Sequence, residues 1–365
     1  MSNPSSTNSY TVKWGIISTG LIAESFVKDI QLNPAERGTT DIAHKITAVA
    51  SRSLDKAQSF IEQHIVDKDT VTPYGTYQDL FDDPNVQCVY IGTPHPQHYE
   101  NVKDALNAGK NVLCEKPFTI SAKQATELFA LAKQKELFVM EAVWTRFQPI
   151  VEPAQKVVFG GEIGEIKRID SRFDKDFGDL PHEHRLLNPS LAGGALFDLG
   201  PYSFLWPTLF LFQHPKNGRT PPTDISPSII FDPRTGVDGI TSYIMKYEKL
   251  GAQATVSCSI STPTAPNSIV VTGTLGTLTL HGISCYPNSF TIHLFATDHS
   301  PEKSTTRNYP ITSGRGMHWQ ADAVGRCLRD GKLEEEKMKW EETEMQQKVF
   351  DEVRIGGGWN WSLTE

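Results

Sequence analysis

Short apolar runs alternate with helical stretches over the first 147 residues, and this alternation restricts the fold more than any other feature of the sequence. Buried strands are predicted at residues 12–18, 46–51, 86–93, 111–114 and 138–142. Helices are predicted between them at residues 21–30, 55–64, 97–108 and 121–135. Because strands separated by helices join through right-handed crossovers, the pattern predicts an α/β fold with a parallel, Rossmann-type sheet.

The pattern changes after residue 147, where predicted strands follow one another with few helices between them. Strands are predicted at residues 163–173, 228–231, 240–247, 252–259, 268–273, 277–281 and 290–296, and helices at 195–212, 319–329 and 341–353. Successive strands without crossover helices indicate an α+β domain with a mostly antiparallel open sheet. The predicted organisation is a disordered tail, a dinucleotide-binding Rossmann domain and a substrate and oligomerisation domain, at residues 1–11, 12–147 and 148–365. Surface loops are predicted at residues 33–45 and 213–227, and a solvated charged stretch at 334–344.

Charge and cysteine content exclude several classes of protein. The formal net charge of −8 leaves no basic excess for binding phosphates, so we expect no nucleic-acid partner. No apolar run approaches the roughly 18 residues of a membrane span, so we expect no membrane partner. The five cysteines lack zinc-ligand spacing, which predicts buried thiols, no metal site and a cytoplasmic location.

The turn after the first predicted strand has the pattern of a dinucleotide-binding site. Such a turn needs small residues at three points, and Ser18, Gly20 and Ala23 occupy them, with Ser18 in place of the usual glycine. Pyrophosphate would rest on the N-terminus of the next helix. The predicted cofactor-binding residues of this turn are Ser18, Thr19, Gly20, Leu21 and Ile22. A glycine-containing turn that binds nothing is the alternative.

The end of the second predicted strand indicates which dinucleotide is bound. An NAD enzyme usually places Asp or Glu there, to bind the ribose 2′-hydroxyl. This chain has Ser51, Arg52 and Ser53, with Lys56 a turn later. Cations and hydroxyls suit a 2′-phosphate, so these four residues predict NADP as the cofactor. The alternative is that Arg52 is only a solvated surface residue.

Four further segments give the chain a specific resemblance. They are residues 93–98 (TPHPQH), 115–117 (EKP), 140–147 (MEAVWTRF) and 191–203 (LAGGALFDLGPYS). Together with the turn, they resemble the glucose–fructose oxidoreductase and inositol dehydrogenase family. Within it the chain is similar to the branch of dimeric dihydrodiol dehydrogenases, which includes fungal NADP-dependent D-xylose dehydrogenases. Many family members have His where this chain has Tyr202.

The resemblance implies catalytic roles for Tyr202, Lys116 and Asp198. Tyr202 would be the general acid/base, Lys116 its electrostatic partner and a substrate clamp, and Asp198 an acceptor for a substrate hydroxyl. The chemistry of the residues agrees, because a free tyrosine has a pKa of about 10 and a nearby ammonium favours the phenolate. Asp198 and Tyr202, four residues apart, would share one face of the predicted helix. Gly193 and Gly194 would let the backbone approach a ligand.

Further site residues follow from the same resemblance. The additional predicted cofactor contacts are Thr93, Pro94, His95, His98, Glu115, Lys116, Trp144 and Arg146, and the additional substrate contacts are Phe173 and Arg185. Structural interpretations stay open: Tyr202 as a core tyrosine, Asp198 as a helix cap, Lys116 as a surface residue, and Trp144 and Arg146 as packing residues.

The resulting hypothesis is NADP-dependent oxidation of an aldose, D-xylose first, at C1 to its lactone. A trans-dihydrodiol dehydrogenase and a dicarbonyl or keto-sugar reductase are alternatives on the same residues. A non-catalytic NADP-binding regulator and a purely structural interaction protein are alternatives of other classes. Because an exposed apolar sheet face needs a cover, we also expect a homodimer through the second domain's sheet. The residues leave the physiological substrate, the preferred direction and the pathway open.

Overall fold

The computed structural model describes residues 9–359, and residues 1–8 and 360–365 lie outside it. The chain forms two compact units. The first contains the described residues up to Thr119, together with Lys123–Phe147 and Thr312–Thr343. The second contains Ile120–Ala122, Gln148–Ile311 and the described residues from Glu344. The predicted tail is too long, because the first strand already begins at Tyr10; its residues 1–8 lie outside the described part.

The first unit contains a parallel sheet, which confirms the predicted Rossmann-type architecture. Its strands are β1 (Tyr10–Ile17), β2 (Ile42–Ala50), β3 (Thr72–Tyr74), β4 (Cys88–Ile91), β5 (Asn111–Glu115) and β6 (Val139–Ala142). The strand order is β3-β2-β1-β4-β5-β6, so the order of the strands reverses between β1 and β4. The central strands are apolar almost throughout because helices cover both faces of a sheet of this kind.

Ten α-helices of at least four residues occur among residues 9–359, and they are distributed over both units. They are α1 (Leu21–Ile30), α2 (Leu54–His64), α3 (Tyr77–Asp82), α4 (His98–Asn107), α5 (Ala122–Lys135), α6 (Val151–Phe159), α7 (Ala195–Asp198), α8 (Gly200–Pro207), α9 (Met317–Arg329) and α10 (Trp340–Gly356). Phe118 and Phe129 stack with ring centroids 4.9 Å apart, and Trp340 stacks on Phe129 at 5.2 Å. Phe118 and Phe129 belong to the hydrophobic core of the first unit, and Trp340 packs against that core. Among residues 9–359, no helix is both long enough and apolar enough to cross a membrane.

A buried polar cluster joins α9 to β2 and to the segment before it. Asp322 of α9 accepts two hydrogen bonds from Arg37, both 2.8 Å, one from the Thr39 hydroxyl at 2.9 Å, and one from His44 Nε2 at 2.9 Å. Trp14 Nε1 donates to His44 Nδ1 at 3.1 Å, which leaves the proton of the neutral ring on Nε2. The prediction of a surface loop over residues 33–45 is therefore wrong in part, because Ile42 already begins β2 and Arg37 is buried against Asp322.

The second unit contains the predicted, mostly antiparallel sheet. Its strands are β7 (Ile166–Asp174), β8 (Thr223–Phe231), β9 (Asp238–Tyr247), β10 (Ala252–Ser259), β11 (Ile269–Gly273), β12 (Gly276–Ile283), β13 (Tyr286–Leu294) and β14 (Lys303–Asn308). The order is β14-β13-β12-β11-β7-β10-β9-β8, with β7 and β10 parallel. The predicted loop 213–227 is too long, because β8 begins at Thr223 and pairs with β9.

The predicted domain limits differ from the compact units in two stretches, of which the shorter is Ile120–Ala122, placed in the second unit. Residues 312–343 belong to the first unit, although the sequence places them in the second domain. The reason is α9, which packs on α1, β1 and β2. Asp29 of α1 fixes the start of α9 by accepting hydrogen bonds from the backbone N–H groups of Arg315, at 2.9 Å, and Met317, at 2.7 Å.

Candidate functional site

The predicted cofactor residues of the first unit all follow the carboxyl ends of its strands. Residues 18–22 follow β1, 51–56 follow β2, 93–98 follow β4, 115–116 close β5, and 144–146 follow β6. Because these strands are parallel, their carboxyl ends lie at one edge of the sheet. The order of the strands reverses between β1 and β4, and α/β proteins bind ligands at this kind of switch point.

The turn after β1 has the geometry of a pyrophosphate-binding turn. Ser18 adopts φ +84°, a left-handed conformation that favours glycine, which explains why glycine is usual at this point. A Cβ on Gly20 would meet only Ser18 Oγ within 4 Å, so the backbone there is open to a ligand. Leu21, the first residue of α1, is 83% exposed. Ala23 is buried where α1 approaches Gly92, whose Cβ would lie 3.7 Å from that of Ala23. These residues fit a bound dinucleotide.

The end of β2 presents hydroxyls and cations, as the sequence predicts. Ser51 is buried and its hydroxyl lies 3.5 Å from that of Thr19, which links this strand end to the turn after β1. Arg52 and Lys56 are exposed. Burial raises the pKa of the Tyr77 hydroxyl, and the positive charge of Arg52 acts in the opposite direction, so the guanidinium lies near this ring. The site therefore has charges and hydroxyls that suit a phosphate on the ribose.

His98 supports the loop after β5 rather than facing solvent. Its ring is fully buried at the start of α4, and its Nδ1 and Nε2 each lie 2.8 Å from a backbone carbonyl oxygen, of Pro117 and Thr93 respectively. Burial lowers the pKa of His98. The imidazole thus ties the segment after β4 to the segment that follows Lys116, and a cofactor contact by His98 stays a prediction. The Thr93 hydroxyl donates to Asn101 at 2.8 Å.

Glu115 points into the core beside Lys116. Tyr90 donates its hydroxyl to Glu115 Oε1 at 2.8 Å, and the backbone N–H of Lys116 donates to Oε2 at 3.3 Å. Burial raises the pKa of Glu115 to about 7, although the positive charge of Lys116 and the Tyr90 hydrogen bond lower it. Glu141 fixes the backbone just after Lys116, since its carboxylate accepts a hydrogen bond from the backbone N–H of Phe118 at 3.0 Å. Buried carboxyl groups therefore fix the loop that positions Lys116.

The raised pKa of Glu115 predicts a pH-dependent stability. Between about pH 4.5 and 7 the native state keeps a proton that the unfolded chain has lost, so this group lowers the free energy of unfolding as pH rises. We expect Glu115→Gln to gain stability relative to the wild type over this window, by up to ~1.4 kcal/mol per pH unit. Urea denaturation at several pH values measures the difference. Glu62→Gln, at an exposed carboxyl, is the control; a difference that does not change with pH contradicts the prediction.

Arg146 is held by a buried ion pair that the sequence did not predict. Its Nη1 donates to the carbonyl oxygen of Lys337 at 3.0 Å and pairs with the carboxylate of Glu342. Both side chains are almost completely buried. The prediction that residues 334–344 form a solvated stretch is therefore wrong for Glu342. Trp144 is also buried, in the helical turn Trp144–Phe147. Arg146 thus anchors this turn, and its contact with a cofactor stays a prediction.

In the second unit, Asp198 and Tyr202 do not lie on one continuous helix. The predicted helix 195–212 is divided into α7, α8 and the π-helical turn Thr208–Phe212. Pro201 has no N–H to continue the hydrogen bonds of α7, which explains the division. Tyr202 is buried on α8, and its ring meets Phe173 of β7 edge to face, with centroids 5.6 Å apart.

Asp198 and the glycine pair have contacts within the protein. Asp198 accepts a hydrogen bond from Arg185 Nη1 at 3.0 Å. The prediction that the glycines make room for a ligand is wrong. A Cβ on Gly193 would lie 2.6 Å from the carbonyl oxygen of Arg185, and one on Gly194 would lie 1.8 Å from Asp238 Oδ1. Protein atoms therefore fill this space, and Asp238 is a neighbour of the site that sequence patterns did not indicate.

Each unit thus presents its own set of functional groups. The first offers an exposed helix N-terminus, small residues and cations at the carboxyl edge of a parallel sheet. The second offers a phenol, a carboxylate and a guanidinium that can bind and deprotonate a hydroxyl compound. Within residues 9–359, no group of three or more His, Cys, Asp or Glu side chains could hold a metal ion.

Known proteins share this organisation. A family model described as an oxidoreductase family with an NAD-binding Rossmann fold, GFO/IDH/MocA, matches residues 12–143, and the model of the GFO/IDH/MocA C-terminal domain matches residues 151–279. D-xylose 1-dehydrogenase (NADP(+)) of Hypocrea jecorina is 37% identical, over 96% of this chain and 93% of its own. Trans-1,2-dihydrobenzene-1,2-diol dehydrogenase of Bos taurus is 34% identical, over 94% and 96%. The aldose-aldose oxidoreductase of Caulobacter crescentus has a similar fold, with a TM-score of 0.77 at 21% identity over 95% and 97% of the two chains.

Proposed function

Because the chain belongs to the GFO/IDH/MocA family of oxidoreductases, we propose that it oxidises an aldose, D-xylose first, at C1 to the lactone with NADP. The observation that carries this proposal is the 37% identity to a D-xylose 1-dehydrogenase (NADP(+)) over 96% of the chain. The open turn at Gly20 and the exposed Arg52 at the end of β2 support the choice of cofactor.

The proposed mechanism assigns the proton and the substrate hydroxyls to residues of this chain. When bound, the nicotinamide supplies a hydride acceptor. Tyr202 Oη takes the proton of the anomeric hydroxyl, and the ammonium of Lys116 favours the phenolate that this step needs. Asp198 accepts a hydrogen bond from a second substrate hydroxyl, while the hydrogen bond from Arg185 orients its carboxylate. Phe173, edge to face with Tyr202, limits the rotation of the phenol ring.

A substrate panel tests the function. The purified protein is assayed for NADPH formation with D-xylose, D-glucose, L-arabinose, myo-inositol and a trans-dihydrodiol, and each assay is repeated with NAD. Turnover of D-xylose with NADP and weak turnover with NAD supports the proposal. Turnover of the dihydrodiol alone replaces it by the second candidate, which the 34% identity to a dihydrodiol dehydrogenase favours. NADPH binding without any turnover leaves a keto-sugar reductase or a regulator.

Arg52 gives a separate prediction about the cofactor. We expect Arg52→Ala to lower kcat/KM for NADP by about 10- to 100-fold, because a charge-assisted bond to the 2′-phosphate is lost. The value for NAD, which lacks this phosphate, should not change. Steady-state kinetics with both cofactors measure the ratio. Lys68→Ala, at an exposed lysine of the same unit, is the control. An equal loss for NADP and NAD contradicts the assignment.

We also propose a homodimer through the open face of the second unit's sheet. Ile230 and Ile240 are paired across β8 and β9 and are exposed, as is Ile244 on the same face of β9. Exposed isoleucines on neighbouring strands are a feature of surfaces that a partner covers. Light scattering of the wild type and of Ile244→Lys tests this; a wild type with the mass of one chain overturns it.

The cytoplasmic location and the absence of nucleic-acid and membrane partners stay predictions.

A further inference from the structure

Asp238 is a buried carboxylate at the start of β9, with all of its side chain withdrawn from solvent. Its Oδ2 accepts a hydrogen bond from the backbone N–H of Leu196 at 2.7 Å and one from the Thr241 hydroxyl at 2.7 Å. Leu196 lies in the first turn of α7, the short helix that ends in Asp198. A residue 42 positions away in the sequence thus takes the place of a helix cap.

The residue at the normal cap position cannot do this. Gly194 precedes α7, adopts φ +109° and has no side chain that could accept a hydrogen bond. A Cβ at Gly194 would lie 1.8 Å from Asp238 Oδ1, so glycine is required because the carboxylate occupies this space. The missing side chain of Gly194 therefore makes room for Asp238.

We propose that Asp238 is a positioning residue that fixes the segment of α7 and α8 that bears Asp198 and Tyr202. This inference rests on the proposed function, since it assigns to Asp238 an effect on the proton transfer by Tyr202. Asp238 touches neither substrate nor cofactor in this scheme. It acts because α7 has only four residues and its first turn depends on an acceptor from β9.

Asp238 is an unusual helix cap because its carboxyl group is buried. Burial raises the pKa of Asp238 to about 7, although the hydrogen bonds from Thr241 and Leu196 lower it. A carboxyl group in such surroundings costs stability when it is charged. A surface cap such as serine at position 194 would avoid this cost, but a side chain there would collide with β9. Capping by Asp238 therefore fixes the position of α7 and α8, although the buried carboxyl group lowers the stability of the protein.

The first unit supplies a matched control. Asp29 is also a buried aspartate that caps a helix from a distance, by accepting from the backbone N–H groups of Arg315 and Met317 at the start of α9. Asp29→Ala and Asp238→Ala therefore remove the same kind of interaction. If Asp238 were only structural, the two variants would affect the reaction in the same way.

The experiment compares Asp238→Ala, Asp238→Asn and Asp29→Ala in the full chain. We expect Asp238→Ala to lower kcat on the substrate that the panel identifies by about 10- to 100-fold, with the KM for NADP unchanged. Asp238→Asn keeps an oxygen that can accept from Leu196 and should recover most of kcat. Asp29→Ala should lose stability and keep its kcat. Equal loss of kcat in the two alanine variants, or no recovery by asparagine, overturns the inference.

A second readout separates this inference from the proposed function. Hydrogen–deuterium exchange of residues 195–203 should be faster in Asp238→Ala than in the wild type, slow again in Asp238→Asn, and unchanged in Asp29→Ala. If no substrate of the panel is turned over, the proposed function fails and the exchange result alone decides the role of Asp238. If Asp238→Ala does not fold, Thr241→Val, which removes one donor to the same oxygen, replaces it and should also accelerate exchange. Wild-type protection in every variant overturns the inference.

Discussion

Tyr202→Phe is expected to lower kcat for sugar oxidation by ~10²–10⁴-fold, the range that general acid/base catalysis supplies. Phenylalanine keeps the ring and its edge-to-face contact with Phe173, so the packing of α8 should be preserved. Only the oxygen that is proposed to accept the proton is lost. NADPH binding, followed by fluorescence, should be unchanged because the predicted cofactor residues belong to the first unit.

Tyr243 provides the control for this substitution. It is a buried tyrosine of β9 in the same unit, and its hydroxyl has no hydrogen-bond partner among the described residues. Tyr243→Phe removes a phenol oxygen from the same unit and should leave kcat unchanged. Retained turnover in Tyr202→Phe would refute the role of Tyr202 as the base. A loss of similar size in both variants would show that the effect comes from packing.

The fold was predictable where the hydrophobic pattern is local and strong. β1, β4 and β10 are apolar or alternating runs, and each was placed within about two residues. β3 and β14 were missed for physical reasons. β3 has three residues with a proline among them, and β14 is a polar edge strand, KSTTRN, with no apolar alternation. Edge strands bury little side-chain surface, so they do not need the apolar pattern from which a strand is predicted.

The site was predictable where its residues form a contiguous motif in the sequence. The turn after β1 is a contiguous motif, and the structure gives Ser18 and Gly20 the backbone geometry of such a turn. The family resemblance inferred from the segments around Lys116 and Tyr202 is confirmed by the matching family models. Asp238 and Glu342 were missed because they act on residues 42 and 196 positions away. No local period in the sequence marks such contacts.

Asp322→Ala should destabilise the protein by about 3–5 kcal/mol, the cost of leaving a buried charge without its partner. Arg37 and His44 both depend on the Asp322 carboxylate, and all three side chains are at most 7% exposed. Burial tends to raise the pKa of Asp322, but the hydrogen bonds from Arg37 and His44 outweigh it and hold the pKa well below its usual range. The stabilisation is therefore fully present above about pH 4, where the unfolded carboxyl is ionised, and is lost as pH falls further.

Asp41→Ala is the matched control, because Asp41 also has two basic partners, Arg326 and Arg329 of α9, at 2.9 and 3.0 Å. Its side chain is 40% exposed against 2% for Asp322. Exposed pairs contribute at most about 1 kcal/mol because water screens them. Urea denaturation near neutral pH should therefore show a large loss for Asp322→Ala and a small one for Asp41→Ala. Similar losses in the two variants would mean that burial does not determine how much these ion pairs stabilise the protein.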